Sequence, residues 1–199
     1  MSDSDTSTPA KANVSGCRRS LLLLAGLIVL LVITGISYLV YLEHTYQTRK
    51  FHRLDRLAVK DLKYSILTYQ EEYKHFPVVE SGTLGSDLLI RSRGMMLQAL
   101  CGQKAGGLNP KEIKFIDLPV AKNRIRGVWL NGEESVLHDT WGEPFYIILD
   151  TNGDGKTANP EFGAEHPPET LPLKVLIYSS GPDRDPKTWK DNVCSWRPQ

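Results

Sequence analysis

The feature that most constrains this chain is a run of 22 residues, Leu21 to Leu42, without one charged side chain. As a helix it would span roughly 33 Å at about 1.5 Å per residue, enough to cross a bilayer core. Gly26 and Gly35 are compatible with this, since glycine is tolerated in membrane helices. Beyond Leu42 charges return, yet the apolar period of a helix persists to Phe76. The economical reading is one helical rod, transmembrane over 20–42 and amphipathic over 43–77. It leaves a short polar tail at 1–19, read as disordered, and a globular domain at 78–199.

That domain has about 122 residues, enough for one small core. A net charge of +1 from 24 basic and 23 acidic residues shows no global bias. Lys and Arg form no block with interleaved aromatics, so nucleic acid is not an expected partner. The apolar run is too long for the core of a typical signal peptide, and Tyr38 to Leu42 offers no small-residue cleavage site, so a retained anchor is expected. Val14-Ser15-Gly16-Cys17 is not a lipidation site, because there the apolar stretch must precede the cysteine. Charge does not fix orientation. Arg18-Arg19 abuts one end of the run, but Arg49, Lys50, Arg53, Arg56 and Lys60 outnumber it on the other side. Of three cysteines, Cys17 sits at the membrane edge. Cys101 and Cys194 are either a disulfide pair or two buried small apolar residues.

The amphipathic segment carries Leu54, Ala58, Leu62, Ile66, Tyr69, Tyr73 and Phe76 at steps of three and four, one helix face suited to packing on a sheet. Lys60, Lys63, Gln70 and Lys74 occupy the opposite face. Pro77 ends the helix, and Ser81 to Ser86 forms a loop. A short helix is predicted over Ser92 to Cys101, with Ser92 as its cap and Gly102 in the left-handed position after it. Strands are predicted at Ile113–Leu118, Arg126–Leu130, Phe145–Leu149 and Lys174–Ser179. The connection from Leu149 to Lys174 is too long for a hairpin turn.

Two acidic loops can carry metal chemistry. Asp150-Thr151-Asn152-Gly153-Asp154-Gly155, with Glu161, matches D-x-[DN]-x-[DN]-G-x5-E letter for letter. Calcium wants six to eight oxygens, and this spacing can curl Asp150, Asn152 and Asp154 around one ion, with Glu161 closing the shell. A strand rather than a helix precedes the loop, so the competing reading is an Asn-Gly and Asp-Gly turn with solvated acids. The second cluster is Asp183, Asp185 and Asp191, following the strand that ends near Ser179. Close carboxylates repel unless a cation compensates them, and Arg184 and Lys187 can do so without metal. Catalytic arrangements are thin. His44, His52, His75, His138 and His166 are scattered, no hydrolase, zinc or phosphate-loop motif is present, and His138-Asp139 is a local acid–base pair within the globular domain. An enzyme is not expected.

Three segments resemble type II secretion pseudopilins of the general secretion pathway protein G kind. They are the membrane helix running into an amphipathic helix that ends in Tyr73-Lys74-His75-Phe76-Pro77; Asp139-Thr140-Trp141-Gly142-Glu143-Pro144-Phe145, similar to that family's Asp-Pro-Trp-Gly-Asn-Pro-Tyr; and Ser179-Ser180-Gly181-Pro182-Asp183, followed by Asp191 and Trp196. The resemblance implies a pilin-like α+β fold, a long N-terminal helix packed on a small antiparallel sheet. It implies single-pass anchoring in the inner membrane with a periplasmic C-terminal domain. Its helix would pack against other pseudopilins, secretion-system subunits or copies of itself. It also implies calcium in the C-terminal loop, with Asp183 and Asp191 among the ligands. The chain departs from the pattern at the prepilin signal, where Gly16 is followed by Cys17-Arg18-Arg19-Ser20-Leu21, without the Phe and the Glu at the fifth position that serve processing and assembly. Arg184 replaces a glycine usual after the Asp. Two expectations follow: a pilin-like, calcium-stabilised membrane protein related to the pseudopilus, or an anchored, calcium-dependent extracytoplasmic binding module that does not polymerise.

Overall fold

The computed structural model describes residues 14–79, 86–132, 134–161, 163 and 168–197, with side chains from Leu22 onward. The tail up to residue 13, the loop read at 81–85 and His166 lie outside them. Helix α1 runs from Val14 to Tyr73, beginning inside the stretch read as tail. The chain divides into two compact units, Met1–Gln47 and Thr48–Gln199.

In the first unit every large apolar side chain from Leu22 to Leu42 is 43 to 76% exposed. The helix is long and apolar enough to cross a membrane, a property it shares with signal sequences. Its polar side chains turn inward on their own backbone: the Thr34 hydroxyl donates to the carbonyls of Leu30 and Leu31, 3.0 Å each. That pattern keeps a hydroxyl satisfied where no water is at hand.

The second unit is an α+β domain in which the remainder of α1 packs on a four-stranded antiparallel sheet. Its strands are β1 (Leu88–Arg91), β4 (Tyr146–Leu149), β7 (Val175–Ser179) and β8 (Val193–Cys194), adjacent in that order. Register places Leu89 opposite Ile148, Ile147 opposite Ile177, and Tyr178 opposite Cys194. Because side chains alternate along a strand, the sheet has two faces with two fates. Ile147, Leu149, Val175, Ile177 and Val193 meet Val59, Leu62, Ile66 and Tyr69 of α1. Ile148, Leu176, Tyr178 and Cys194 meet Tyr146, Trp189, Trp196, Leu171 and Leu173 on the other side. The long connection after β4 and the segment after β7 together close the second face, and the former carries its own hairpin of β5 (Thr157–Ala158) and β6 (Thr170–Leu171). A further hairpin pairs β2 (Gly127–Trp129) with β3 (Val136–His138).

Three local expectations change. The helix stops at Tyr73 rather than Phe76. Lys74 takes a left-handed φ of +64°, and Phe76, outside the helix and ahead of Pro77, is still buried. Ser92 does not cap α2 (Gly94–Leu100), because its hydroxyl donates to the Leu137 carbonyl and accepts from the Phe145 N–H, 2.8 Å each. Ile113–Leu118 is not a strand: Phe115 and Ile116 donate their N–H groups to the Leu100 carbonyl at the end of α2. Its apolar residues serve packing instead, with Ile116 buried and Phe115 5.2 Å from the Tyr69 ring. Gly102 does follow α2 in the left-handed region, at φ +94°.

Candidate functional site

The segment Asp139 to Phe145 forms a turn organised by one carboxylate. Asp139 Oδ1 accepts from the N–H groups of Trp141 (2.9 Å) and Glu143 (2.8 Å), and Gly142 supplies the required positive φ of +91°. Asp139 is therefore the turn former its position next to Trp-Gly implies. No hydrogen bond joins it to His138, whose Nδ1 is buried without a partner. Burial, and secondarily Arg124, hold the His138 pKa below its usual value.

Around this turn three parts of the second unit meet. Asp55 of α1 accepts from the Thr140 N–H and hydroxyl, 3.0 Å each. His52 of α1 meets the Trp141 ring edge-on at 5.1 Å. From the C-terminal loop Arg184 donates to the Trp141 carbonyl, 2.8 Å. Asp55 is 1% exposed. Burial, reinforced by the neighbouring Asp139, pushes its pKa up to about 8. The Asp139 pKa is raised by burial too, and its backbone donors oppose that. Of the two acids Asp55, pushed up to about 8, is the one that holds a proton at neutral pH.

Sequence reasoning missed Asp55. It lies beside the Leu54–Ala58–Leu62 stripe, but the face that enters the core is Asp55, Val59, Leu62 and Ile66. An acid in register with Val59 and Leu62 was the available signal.

The C-terminal acids are only partly gathered. Asp183 Oδ1 accepts from the Asp185 N–H (2.8 Å) and Oδ2 from the Thr188 hydroxyl (2.6 Å); Thr188 first, then Asp185, lower its pKa. Asp185 Oδ1 accepts from the Lys187 N–H, 2.9 Å. Asp191 differs. Its Oδ1 is buried without a partner, as is Oδ1 of Asn192. Gly181 faces it at φ +68°, so closely that a Cβ there would meet the Asp191 carbonyl oxygen at 2.8 Å and its carboxyl carbon at 3.2 Å.

The Asp150 loop is self-satisfied. Asp150 accepts from Gly153 (2.7 Å) and Gly155 (2.9 Å), Asn152 from Asp154 (3.0 Å), and Asp154 from Lys156 (2.8 Å). Glu161 is drawn elsewhere, accepting from Trp196 Nε1 (2.9 Å) and Arg197 Nε (3.0 Å). The pattern that matched letter for letter is thus a succession of turns, with its last member serving the C-terminal segment. Among the described residues no three His, Cys, Asp or Glu side chains are grouped to hold a metal ion. Cys101 and Cys194 are free thiols, and burial pushes the Cys194 pKa up to about 12.

Comparison with protein-family models, with curated proteins and with solved structures returned no match. The pilin-like arrangement of an apolar N-terminal helix and an antiparallel sheet therefore stands on the architecture alone.

Proposed function

We propose that this chain is a non-enzymatic, single-pass membrane protein presenting a pilin-like domain outside the inner membrane, related to the type II secretion pseudopilins. The observation that carries the reading is the division of α1: Leu22 to Leu42 stays exposed along its whole apolar length, whereas the face of Val59, Leu62, Ile66 and Tyr69 is buried against a sheet. An apolar surface of that extent requires lipid or neighbouring helices. The Asp139 turn and the Gly181 loop, both named by the resemblance, lie in one domain, bridged by Arg184.

A second reading is favoured by a particular observation, the absence of Phe and Glu after Gly16: the fold serves as a fixed, anchored binding module. Purification from membranes distinguishes the two. Copies or other pilin-like subunits recovered with the chain support assembly; a monomer of uncleaved mass rules it out and leaves the anchored module.

Calcium belongs to the same proposal. The Asp150 loop lacks a closing ligand, since Glu161 is engaged by Trp196 and Arg197. In the C-terminal loop Asp191 fits, with a buried oxygen that has no partner and a glycine cradle opposite. A divalent cation there would neutralise Asp191 and tie the loop to its strand. A calcium-dependent rise in the unfolding midpoint, abolished by Asp191→Ala and retained in Asp150→Asn, is expected; no shift with calcium over chelator refutes calcium binding.

A further inference from the structure

The second unit contains a cavity of about 500 Å³ whose walls come from α1 and the C-terminal segment. That size lies within the roughly 300–1,000 Å³ of small-molecule sites. Arg49, Arg53 and Arg56 line it from α1, spaced so that all three share a helix face. Lys190 and Arg197 line it from the other side. The one acid in the lining is Asp191, whose carboxyl carbon packs near Gly181.

These cations are not spent on the protein. Arg197 is bound to Glu161, but Arg49, Arg53, Arg56 and Lys190 form no ion pair among the described residues. Burial first, then Arg56, hold the pKa of the adjoining His52 below its usual value, with Asp191 opposing. Like charges crowded into one concavity repel, and the domain gains when an anion enters. Guanidinium groups match phosphate oxygens two at a time, which makes a phosphate ester a better occupant than a simple halide.

We propose that this cavity is a binding site for a phosphate-bearing anion. Two sources share that chemistry. One is the headgroup of an anionic phospholipid, since Arg49 follows the end of the apolar run by only about two helical turns of sequence. The other is a free phosphate ester.

The test uses the full chain in neutral detergent, reading the thermal unfolding midpoint. Inorganic phosphate is titrated against chloride at equal ionic strength, and phosphatidylglycerol in mixed micelles against phosphatidylcholine. A saturable rise with either phosphate probe over its control is expected. A rise with phosphatidylglycerol alone assigns the lipid headgroup; a rise with inorganic phosphate assigns a free ester. The double variant Arg53→Gln/Arg56→Gln, both exposed positions, should weaken the response to the probe at least about tenfold, read against its own chloride midpoint. If that variant fails to fold, Lys190→Gln replaces it. Equal responses to phosphate and chloride and to the two lipids, or a rise that persists in the variants, overturn the proposal.

Discussion

Asp55 places an acid where the helix meets the domain, and its environment decides its charge. The folded chain keeps a proton on Asp55 up to about pH 8, whereas an unfolded aspartate releases it near 3.8. Between those limits the native state binds the extra proton, so its contribution to stability is complete below the lower value and is lost as pH rises through the upper one. The limiting slope for one such group is about 1.4 kcal/mol per pH unit. Denaturant unfolding from pH 5 to 8 should therefore show stability falling with pH. Asp55→Asn preserves the shape, accepting from the Thr140 N–H and donating to its hydroxyl, and should flatten that slope and exceed the wild type at pH 8. Asp55→Ala strands the Thr140 N–H and should cost about 1–3 kcal/mol at acidic pH, where the wild-type acid is neutral. A flat wild-type profile would show that Asp55 is ionised in the fold.

At the level of elements, Ser92 joins three strands without belonging to any of them. Directly after β1, its hydroxyl bonds the Leu137 carbonyl within β3 and the Phe145 N–H just ahead of β4. Ser92→Ala leaves both buried groups unmatched and should destabilise by about 1–3 kcal/mol. On the helix, Ile66→Ala should cost about 2–5 kcal/mol by opening the core, while Tyr64→Ala, 68% exposed, should stay within about 0.5 kcal/mol. Denaturant midpoints check all three, and equal losses for Ile66 and Tyr64 would deny that α1 docks by the Val59–Tyr69 face. Periodicity was legible wherever one face met one core. It placed the helix stripe and the strands at 127–129, 146–149 and 175–179. It failed where backbone partners decide the outcome: Phe115 and Ile116 look like strand residues but bond to a helix end, and two-residue strands such as Val193–Cys194 are too short to show a period. Nor can the spacing of the Asp150 pattern reveal that Glu161 binds Trp196 and Arg197.

For the whole molecule, the two units treat their apolar residues in opposite ways. The domain buries its apolar residues on both sheet faces, and the first unit shows its own to the surroundings. If lipid or neighbouring helices cover Leu22 to Leu42, charge placed there must be costly in a way that charge on the domain surface is not. Leu30 and Ile33 lie near the middle of the run and are 57% and 55% exposed. An arginine at the centre of a membrane helix costs about 2.5–3.5 kcal/mol. The double variant Leu30→Arg/Ile33→Arg should therefore leave the membrane fraction after alkaline extraction, while Tyr64→Lys, on the domain, should remain with it. The extracted wild-type chain should also keep its full mass, because a signal sequence would be cut away and an anchor would not. Retention of the double arginine variant, or loss of the run from the mature chain, would move the apolar surface from a membrane function to one served before or outside it.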